Sequence, residues 1–432
     1  MLIGLFGLLV IGLASGLPVA FTFLAINIIG FYFLVGGTEP LSLLVPSAFE
    51  ALAIFPLIAI PLFILMGEIL LRSGVANLAI DAVDVWIGQL PGRLALVAVA
   101  AGTVFGAVSG ASIAATALLG KTLVPEMDRR GYKPPMSIAS VLAAGGLDTL
   151  IPPSALAVLL GALAGLSIGE MLIAIIVPGL LLAAIYVIYF VVRAAIQPHL
   201  APAYDRGPIP LSARLSSLRH TVPVIGLIVV VTGLIFFGVA TPSEAAALGV
   251  VASIGLAAAY RKLSARVTYD AVRATVEITA MIFLIIAGSK AYSQLIAITG
   301  AAGGFVEFAT HLPLTGLQLV IGMMIVVFFL GCFLDSISIM MITIPIYMPL
   351  LKVLGMDPIW FAVAFLMNVQ LGAITPPFGV LLIVMQGVQP QLSTAVLYRS
   401  IVPIVMLQIA AIGLVIAFPA LTSWLPSLMI TR

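Results

Sequence analysis

The chain has 432 residues, of which 63% are apolar and only 8% are charged. Soluble domains carry roughly 25% charged residues, so this composition excludes an ordinary soluble enzyme or binding domain. The formal net charge of +2 gives no reason to expect a nucleic-acid partner, and the one cysteine, Cys332, excludes an internal disulfide framework. Several apolar runs are long enough to cross a hydrocarbon core of ~30 Å as helices. The composition therefore predicts an all-α polytopic membrane protein.

The first half of the chain contains uninterrupted and interrupted apolar segments. Scaffold spans are predicted within residues 2–72, near 2–16, 18–36 and 51–72. The first run has no basic flank or cleavage site, so we interpret it as a span and not as a cleaved signal. The later segments are a stretch over 94–128 interrupted at Ser109-Gly110-Ala111-Ser112, a segment over 134–163 interrupted at Gly145-Gly146-Leu147-Asp148, and a span over 170–193.

The same order of elements recurs after a polar connection over 194–219, which we interpret as a cytoplasmic linker. Its charges are typical of a solvated, lipid-facing loop. The later elements are scaffold spans within 222–298 (222–238, 243–260 and 275–298), a stretch over 315–354 interrupted at Leu334-Asp335-Ser336, a segment over 358–388 interrupted near Gly372, and a span over 397–418. We therefore predict two repeats, over 1–193 and 220–432.

Paired prolines support this duplication. Ile151-Pro152-Pro153-Ser154 and Thr375-Pro376-Pro377-Phe378 carry one motif twice, and 376 − 152 gives an offset of 224 residues. Of the fifteen prolines that have a possible partner at this offset, six do, where about one is expected by chance from 28 prolines in 432 residues. A repeat of this length in an apolar chain is typical of a transporter built from two related halves.

The crossing count predicts that the second repeat is inverted. The stretches over 94–128 and 315–354 fit either one long span or a re-entrant hairpin, but their arms are short for a double crossing of ~30 Å. With two hairpins, each half crosses the membrane five times, and an odd number inverts the second half. The positive-inside rule agrees, because fifteen Lys and Arg residues then share the cytoplasmic side and two lie outside. Both termini are predicted to be periplasmic.

Helices interrupted inside a bilayer must line an enclosed cavity, because lipid cannot satisfy the freed backbone groups. Half-helix N-termini favour an anionic substrate, and unwound carbonyls with hydroxyl and carboxylate oxygens suit Na⁺. Candidate sodium ligands in the first half are Ser109, Gly110, Ser112, Gly145, Asp148 and Thr149. Those in the second half are Asp335, Ser336, Ser338, Gly372 and Thr375. Candidate substrate contacts are Ser112, Ser154, Thr375 and Pro376. The alternative is that these small residues only allow close helix packing.

Four charges fall inside predicted elements. Asp148 and Asp335 are costly in a membrane, and each is consistent with contact to sodium, transfer of a proton, or capping of backbone amides. Lys290 and Glu68 lie within spans. Lys290 is a candidate contact for an anionic substrate, but a snorkelling side chain or a structural ion pair is the simpler hypothesis.

A family resemblance rests on motifs in a fixed order along nearly the whole chain. The chain resembles the large membrane subunit of tripartite ATP-independent periplasmic (TRAP) transporters in these segments: Pro56-Leu57-Ile58-Ala59-Ile60-Pro61-Leu62-Phe63, Ser109-Gly110-Ala111-Ser112, Leu150-Ile151-Pro152-Pro153-Ser154, Thr241-Pro242-Ser243-Glu244-Ala245-Ala246 and Ile374-Thr375-Pro376-Pro377. Each motif alone is loose, but the ordered set is specific.

The resemblance implies a bacterial inner-membrane importer that couples organic acids to sodium, and an elevator-type fold similar to that of the ion-transporter superfamily. It also implies two partners, a small (Q-type) membrane subunit and a periplasmic (P-type) substrate-binding protein. The family's cation-binding regions fall on the interruptions named above. Asp148, Lys290 and Glu68 depart from its pattern, which has uncharged residues there.

Three other functions are distinguishable. An intramembrane hydrolase needs a base beside a nucleophile or an HExxH pair, yet the histidines His199, His220 and His311 lie in predicted loops and no such pair occurs. The chain is therefore not expected to be an enzyme. A stand-alone sodium–dicarboxylate carrier needs no binding protein, and a passive channel does not respond to a sodium gradient.

Overall fold

The computed structural model describes residues 2–87, 90–109, 112–202 and 210–430. Within these ranges it contains helices and no β-strand. The helices of the first half are α1 (Leu2–Ala14), α2 (Val19–Gly30), α3 (Leu44–Leu52), α4 (Ala59–Arg72), α5 (Val75–Ile87), α6 (Arg93–Ser109), α7 (Ser112–Arg129), α8 (Pro134–Gly145), α9 (Ala155–Ala164), α10 (Ile168–Ala174) and α11 (Ile176–Ile196). Those of the second half are α12 (Leu211–Phe236), α13 (Pro242–Ala259), α14 (Ala265–Ile298), α15 (Ala301–His311), α16 (Gly316–Gly331), α17 (Ser336–Val353), α18 (Pro358–Ala373), α19 (Val380–Val388), α20 (Thr394–Ala417) and α21 (Ala420–Ser423).

Seven of the described helices are long and apolar enough to cross a membrane, and an eighth crossing follows if the bent pair α8–α9 is one span. The seven are Val19–Gly36, Phe55–Arg72, Ile168–Ile196, Pro242–Ala259, Ala265–Ile298, Ser336–Val353 and Thr394–Ala417. This architecture confirms the prediction of an all-α polytopic membrane protein.

Local sequence signals set where several helices begin. Thr241 Oγ1 accepts a hydrogen bond from the Glu244 backbone N–H (3.3 Å), and the Glu244 carboxylate accepts one from the Thr241 N–H (2.8 Å). Pro242 occupies the first turn of α13, where its missing N–H has no cost. Thr315 and Gln318 form the same reciprocal cap on α16.

The helices recur at nearly the same offset as the prolines. From α7 to α17 the first residues differ by 336 − 112 = 224, and from α8 to α18 by 358 − 134 = 224. For α9 and α19 the difference is 380 − 155 = 225. The relative orientation of the halves and the domain limits stay predictions.

The structure differs from the predicted elements at positions where helix continues beyond the apolar run. Helices α5 and α15 had no predicted counterpart. α12 begins at Leu211, so the end of the predicted linker over 194–219 is helical, and α14 begins at Ala265 and not near 275. Hydropathy detects the membrane-crossing part of a helix but not its polar first turns. The predicted span over 51–72 is interrupted by a short 3₁₀ turn at Phe55–Ile58, which contains Pro56.

Two packing groups are relevant to the site. In the first, α6 packs against α7 and α8, and α16 packs against α17 and α18. In the second, α4 packs against α13 and α14. The hairpin arms therefore lie beside the interrupted helices, while the spans predicted as scaffold lie against one another.

Candidate functional site

The structure interrupts two helices close to the predicted positions. α8 ends at Gly145, and α9 begins at Ala155 after a bend of 46°. In the second half α18 ends at Ala373, and α19 begins at Val380. A Pro-Pro pair, which lacks the N–H groups a helix needs, lies in each interruption. The two interruptions frame the candidate site.

Glycines bring the hairpins into backbone contact with these interruptions. A Cβ on Gly106 of α6 would lie 2.2 Å from Asp148 Cα, which is far inside van der Waals contact. A Cβ on Gly331 of α16 would lie 2.8 Å from Gly372 Cα, and one on Gly372 would lie 2.4 Å from Gly331 Cα. Each hairpin arm therefore approaches its interrupted helix at a distance that only glycine allows.

Polar side chains from two helices, α7 and α18, and from the 3₁₀ turn Asp148–Leu150 meet at the first interruption. We call Ser112, Asp148, Thr149 and Gln370 the first centre. Ser112 Oγ donates to Asp148 Oδ1 at 2.7 Å. Gln370 Nε2 donates to Thr149 Oγ1 at 2.7 Å, and lies 3.1 Å from both Ser112 Oγ and Asp148 Oδ1. Asp148 and Thr149 are fully buried, and Gln370 is 1% exposed. Because Gln370 belongs to α18, the second half supplies part of the first-half centre.

Oxygens of the first centre remain without hydrogen-bond donors among the described residues. These are Asp148 Oδ2 and Gln370 Oε1. Thr116 Oγ1, which packs against Gly145, is also buried without a hydrogen-bond partner among the described residues. A buried acceptor without a partner is costly, and a buried carboxylate more so. Such oxygens fit a hard cation, which prefers carboxylate, amide and hydroxyl oxygen. The first centre can therefore accommodate a small cation.

The second-half candidates Asp335, Ser338, Gly372 and Thr375, which we call the second centre, are arranged differently, because the described side-chain hydrogen bonds of Asp335, Ser338 and Thr375 stay within their own elements. Asp335 Oδ2 accepts from the backbone N–H of Ile337 (3.0 Å) and of Ser338 (3.1 Å), so this carboxylate caps the N-terminus of α17. The Ser338 hydroxyl donates to its other oxygen. Thr375 Oγ1 donates to the Leu371 carbonyl at 2.6 Å. Asp335 is exposed, while Ser338 is fully buried.

The remaining predicted site residues lie at the ends of helices or in the interruptions. Gly110 lies outside the described residues, and Ser109 is the last residue of α6. Ser336 begins α17, and Pro376 lies partly exposed in the second interruption. Ser154 is fully buried, and its hydroxyl accepts from the Ala157 N–H (3.3 Å) as the N-cap of α9. Ser154 therefore has a structural role in addition to its predicted substrate contact.

Sequence reasoning missed Gln370. The available signal was a pair of amides, Asn368 and Gln370, in an otherwise apolar segment. Asn368 Nδ2 donates to the Met324 carbonyl at 2.6 Å and so links α18 to α16. Amide side chains in membrane helices commonly bond between helices, and here both do.

The two unusual charges in spans have different environments. Glu68 forms an ion pair with Arg72, with 2.6 Å between Oε2 and Nε, which agrees with a structural role. Lys290 lines a cleft between α14 and the helices α3, α9 and α17, and no ion pair of the described residues includes it.

Comparison with known proteins identifies the fold and the family. The family described as "Tripartite ATP-independent periplasmic transporter, DctM component" matches residues 6–421. The chain is 30% identical to the ectoine TRAP transporter large permease TeaC of Halomonas elongata, over 98% of this chain and 97% of that protein. It is 31% identical to the C4-dicarboxylate TRAP transporter large permease DctM of Pseudomonas aeruginosa, over 91% and 93%.

Two solved structures share the fold at 14% sequence identity. The YdaH transporter of Alcanivorax borkumensis superposes with a TM-score of 0.69 over 94% of this chain and 98% of that one. MtrF of Neisseria gonorrhoeae, titled as one of a class of antimetabolite efflux pumps, gives 0.64 over 96% and 94%. This likeness supports the fold alone.

The family and the relatives confirm the resemblance predicted from the sequence, and the relatives are named as permeases and not as enzymes. With its apolar helices, the chain is a multi-pass protein of the inner membrane. It belongs to the family of tripartite ATP-independent periplasmic transporters, as the large membrane subunit or DctM component.

Proposed function

We propose that this permease imports a small organic acid across the bacterial inner membrane, driven by a sodium gradient. Relatives are named for C4-dicarboxylate and for 2,3-diketo-L-gulonate, and both are organic anions. Other relatives are named for ectoine, so the substrate class of this chain does not follow from family membership alone.

One observation carries the coupling to sodium. Asp148 Oδ2 and Gln370 Oε1 are buried acceptors without donors among the described residues, at the position where a hairpin meets an interrupted helix. A bound Na⁺ would satisfy both oxygens and offset the charge of the carboxylate. The second centre would hold another Na⁺ through Asp335, Thr375 and backbone oxygens near Gly372.

The substrate would bind between the two centres. α9 and α19 both begin at the interruptions, and in this proposal their N-terminal amides would face the space between the centres and favour a carboxylate. Ser112, Thr375 and Pro376 border this space in the proposal. Binding of sodium would place positive charge beside the substrate and so strengthen its binding.

We further propose an elevator-type movement. The close glycine contacts hold each hairpin to its interrupted helix, which favours motion of these elements as one unit. The spans around α4, α13 and α14 would form the stationary scaffold. The basic side of the chain would face the cytoplasm, and both termini would be periplasmic.

As its partners we propose a small Q-type membrane subunit and a periplasmic binding protein that delivers the acid. The family name describes a tripartite transporter, and one relative, the isethionate permease DctMQ of Oleidesulfovibrio alaskensis, is named for both membrane components. This chain covers 65% of that relative, so its matched part corresponds to the large component alone.

Uptake in proteoliposomes tests the proposal. The chain would be reconstituted with the proposed small subunit and binding protein, which would be sought among the neighbouring genes. Uptake of radiolabelled succinate and other organic acids would then be measured. We expect accumulation only with an inward sodium gradient and the binding protein. Uptake without the binding protein would indicate a stand-alone carrier. Equilibration that ignores the sodium gradient would indicate a passive channel.

A further inference from the structure

Lys290 occupies an unusual place for a charged residue. It lies on α14, eight residues before that helix ends at Ile298, and its side chain is exposed to a cleft of about 120 Å³. We call this space the Lys290 cleft. Its other walls are apolar residues of α3, of the segment that connects α3 to α4, and of α9, α14 and α17, and it is also lined by Ser289 and Ser293. An ammonium group in such surroundings is favoured only beside water or an anion.

The described part of the chain supplies no carboxylate partner to Lys290. Among the described residues no ion pair includes Lys290, whereas Glu68, the other unusual charge in a span, is paired with Arg72. Glu50 precedes the cleft residue Ala51 on α3, but it forms no ion pair with Lys290. A structural ion pair therefore does not explain the lysine.

The polar groups beside Lys290 leave one hydroxyl available. Ser289 is 1% exposed, and its Oγ donates to the Met341 carbonyl at 3.1 Å, which ties α14 to α17. Ser293, one turn from Ser289, lines the cleft and is only partly buried. Lys290 and Ser293 are three residues apart on α14, so they share one face of the helix, and both line the cleft. In our proposal both donate hydrogen bonds to one carboxylate. A liquid-phase water occupies about 30 Å³, so the cleft has room for a carboxylate with water.

The position of the cleft connects it with transport. α9 follows the first interruption and α17 follows the tip of the second hairpin. α14 contains the span predicted as scaffold over 275–298, and α3 lies between the predicted scaffold spans 18–36 and 51–72. The cleft therefore lies where the two proposed units face each other. From this geometry we infer that Lys290 is an anion-binding residue that contacts the carboxylate of the transported acid on its way to the two centres. The inference rests on the proposed function.

The anion preference of the cleft is measurable without transport. In a Cys332→Ser background, Ser293→Cys places a single thiol in the cleft. Its rate of reaction is compared for an anionic sulfonatoethyl and a cationic trimethylammonioethyl methanethiosulfonate. We expect Lys290→Gln to lower the ratio of anionic to cationic rates by at least about threefold at low salt, and less at high salt. Lys352→Gln removes a lysine that is predicted to lie on the periplasmic side and does not line the cleft, and it should leave the ratio unchanged.

Uptake kinetics then test contact with the substrate. We expect Lys290→Gln to raise the KM for the transported acid about tenfold, which corresponds to about 1.4 kcal/mol, with a nearly unchanged maximal rate. Lys290→Arg should restore most of the affinity, because it keeps the charge. An unchanged labelling ratio, a thiol that neither reagent reaches, or an unchanged KM would each overturn the inference. The labelling needs no transport, so failure of sodium-driven uptake would refute the proposed function separately.

Discussion

The two halves place their carboxylates on different elements: the first on the interrupted segment and the second at the hairpin tip. Since 372 − 148 = 224, Asp148 on the first interrupted segment corresponds to Gly372, which has no side chain, on the second. The second-half carboxylate, Asp335, lies instead at the hairpin tip. Asp148 is fully buried and shares its Oδ1 with Ser112 and Gln370, whereas Asp335 is exposed and caps a helix. Both halves have the close glycine contact, but the burial and the hydrogen bonds of their carboxylates differ.

This difference indicates how the two centres depend on one another. Gln370 of α18 bonds to three residues of the first centre, so a displacement of the second interrupted helix also removes a donor from the first. No side chain of the first half has an equivalent bond to Asp335 or Thr375 among the described contacts. The backbone contacts are therefore duplicated in the two halves, but only the first centre has side-chain hydrogen bonds to the other half among the described contacts.

The largest expected effect comes from Gly372→Ala. Its Cβ would lie 2.4 Å from Gly331 Cα, and a backbone atom cannot turn away as a side chain can. Overpacking of this kind costs about 1–3 kcal/mol or more. We expect uptake to fall to background, measured in proteoliposomes against the amount of folded protein. Gly413→Ala on α20 is the matched control, because its Cβ meets nothing within 4 Å. Normal transport by Gly372→Ala would show that the close contact is dispensable.

Asp335→Asn tests charge at the second centre separately from helix capping. Asparagine is as good an N-cap as aspartate, so α17 should still begin at the same residue. We expect sodium-driven uptake to weaken and the sodium concentration for half-maximal uptake to rise about tenfold, because a charge-assisted ligand is lost. Thr375→Ala should act in the same direction, with a smaller shift.

Asp357→Asn is the control for Asp335→Asn. Asp357 caps α18 in the same manner, accepting from the Ile359 N–H at 2.8 Å, but lies at the start of that helix and away from the interruption. A shift in sodium dependence caused equally by both variants would assign the effect to capping. A normal sodium titration for Asp335→Asn and Thr375→Ala together would contradict the proposed second sodium site.

Gln370→Leu tests the asymmetric coupling. The variant removes the donor that bridges Ser112, Asp148 and Thr149 while retaining the volume of the side chain approximately. We expect uptake to fall by about tenfold, since a buried carboxylate loses one of its two side-chain donors. In the double variant with Asp148→Asn, the loss of uptake should be much smaller than the product of the two single losses, because both residues belong to one hydrogen-bond network.

Gln386→Leu serves as the matched control for that cycle. Gln386 of α19 donates an exposed hydrogen bond to Thr394 Oγ1, at the start of α20, at 2.9 Å. The position should therefore tolerate the change. Additive effects of Gln370→Leu and Asp148→Asn would show that the two side chains act independently, and the first centre would then not function as a unit.

The sequence predicted the backbone of the site better than its side-chain contacts. Gly145 and the Pro-Pro pairs mark the interruptions through local chemistry, and the predicted first tip falls where α6 ends at Ser109 and α7 begins at Ser112. Gln370 was missed because its partners lie far away in the chain, 222 residues from Asp148 (370 − 148), and no local pattern encodes that contact. Helices α5 and α15 were missed because, at 13 and 11 residues, they are too short to give the long apolar run by which membrane spans are detected. The predicted ligand roles themselves stay predictions.

The smallest expected effect distinguishes two roles of Ser154. Its hydroxyl caps α9 from a fully buried position, and loss of such a cap costs about 1 kcal/mol. If capping is its main role, Ser154→Ala should lower thermal stability in detergent slightly and leave the KM for the acid unchanged. Ser167→Ala removes the corresponding cap of α10, where Ser167 Oγ accepts from the Glu170 N–H at 3.3 Å, and should cost a similar amount. A KM that rises for Ser154→Ala but not for Ser167→Ala would support the predicted contact between Ser154 and the substrate. It would also show that the first interruption contributes a hydroxyl contact for which the second, with Phe378 at the corresponding position (378 − 154 = 224), has no equivalent.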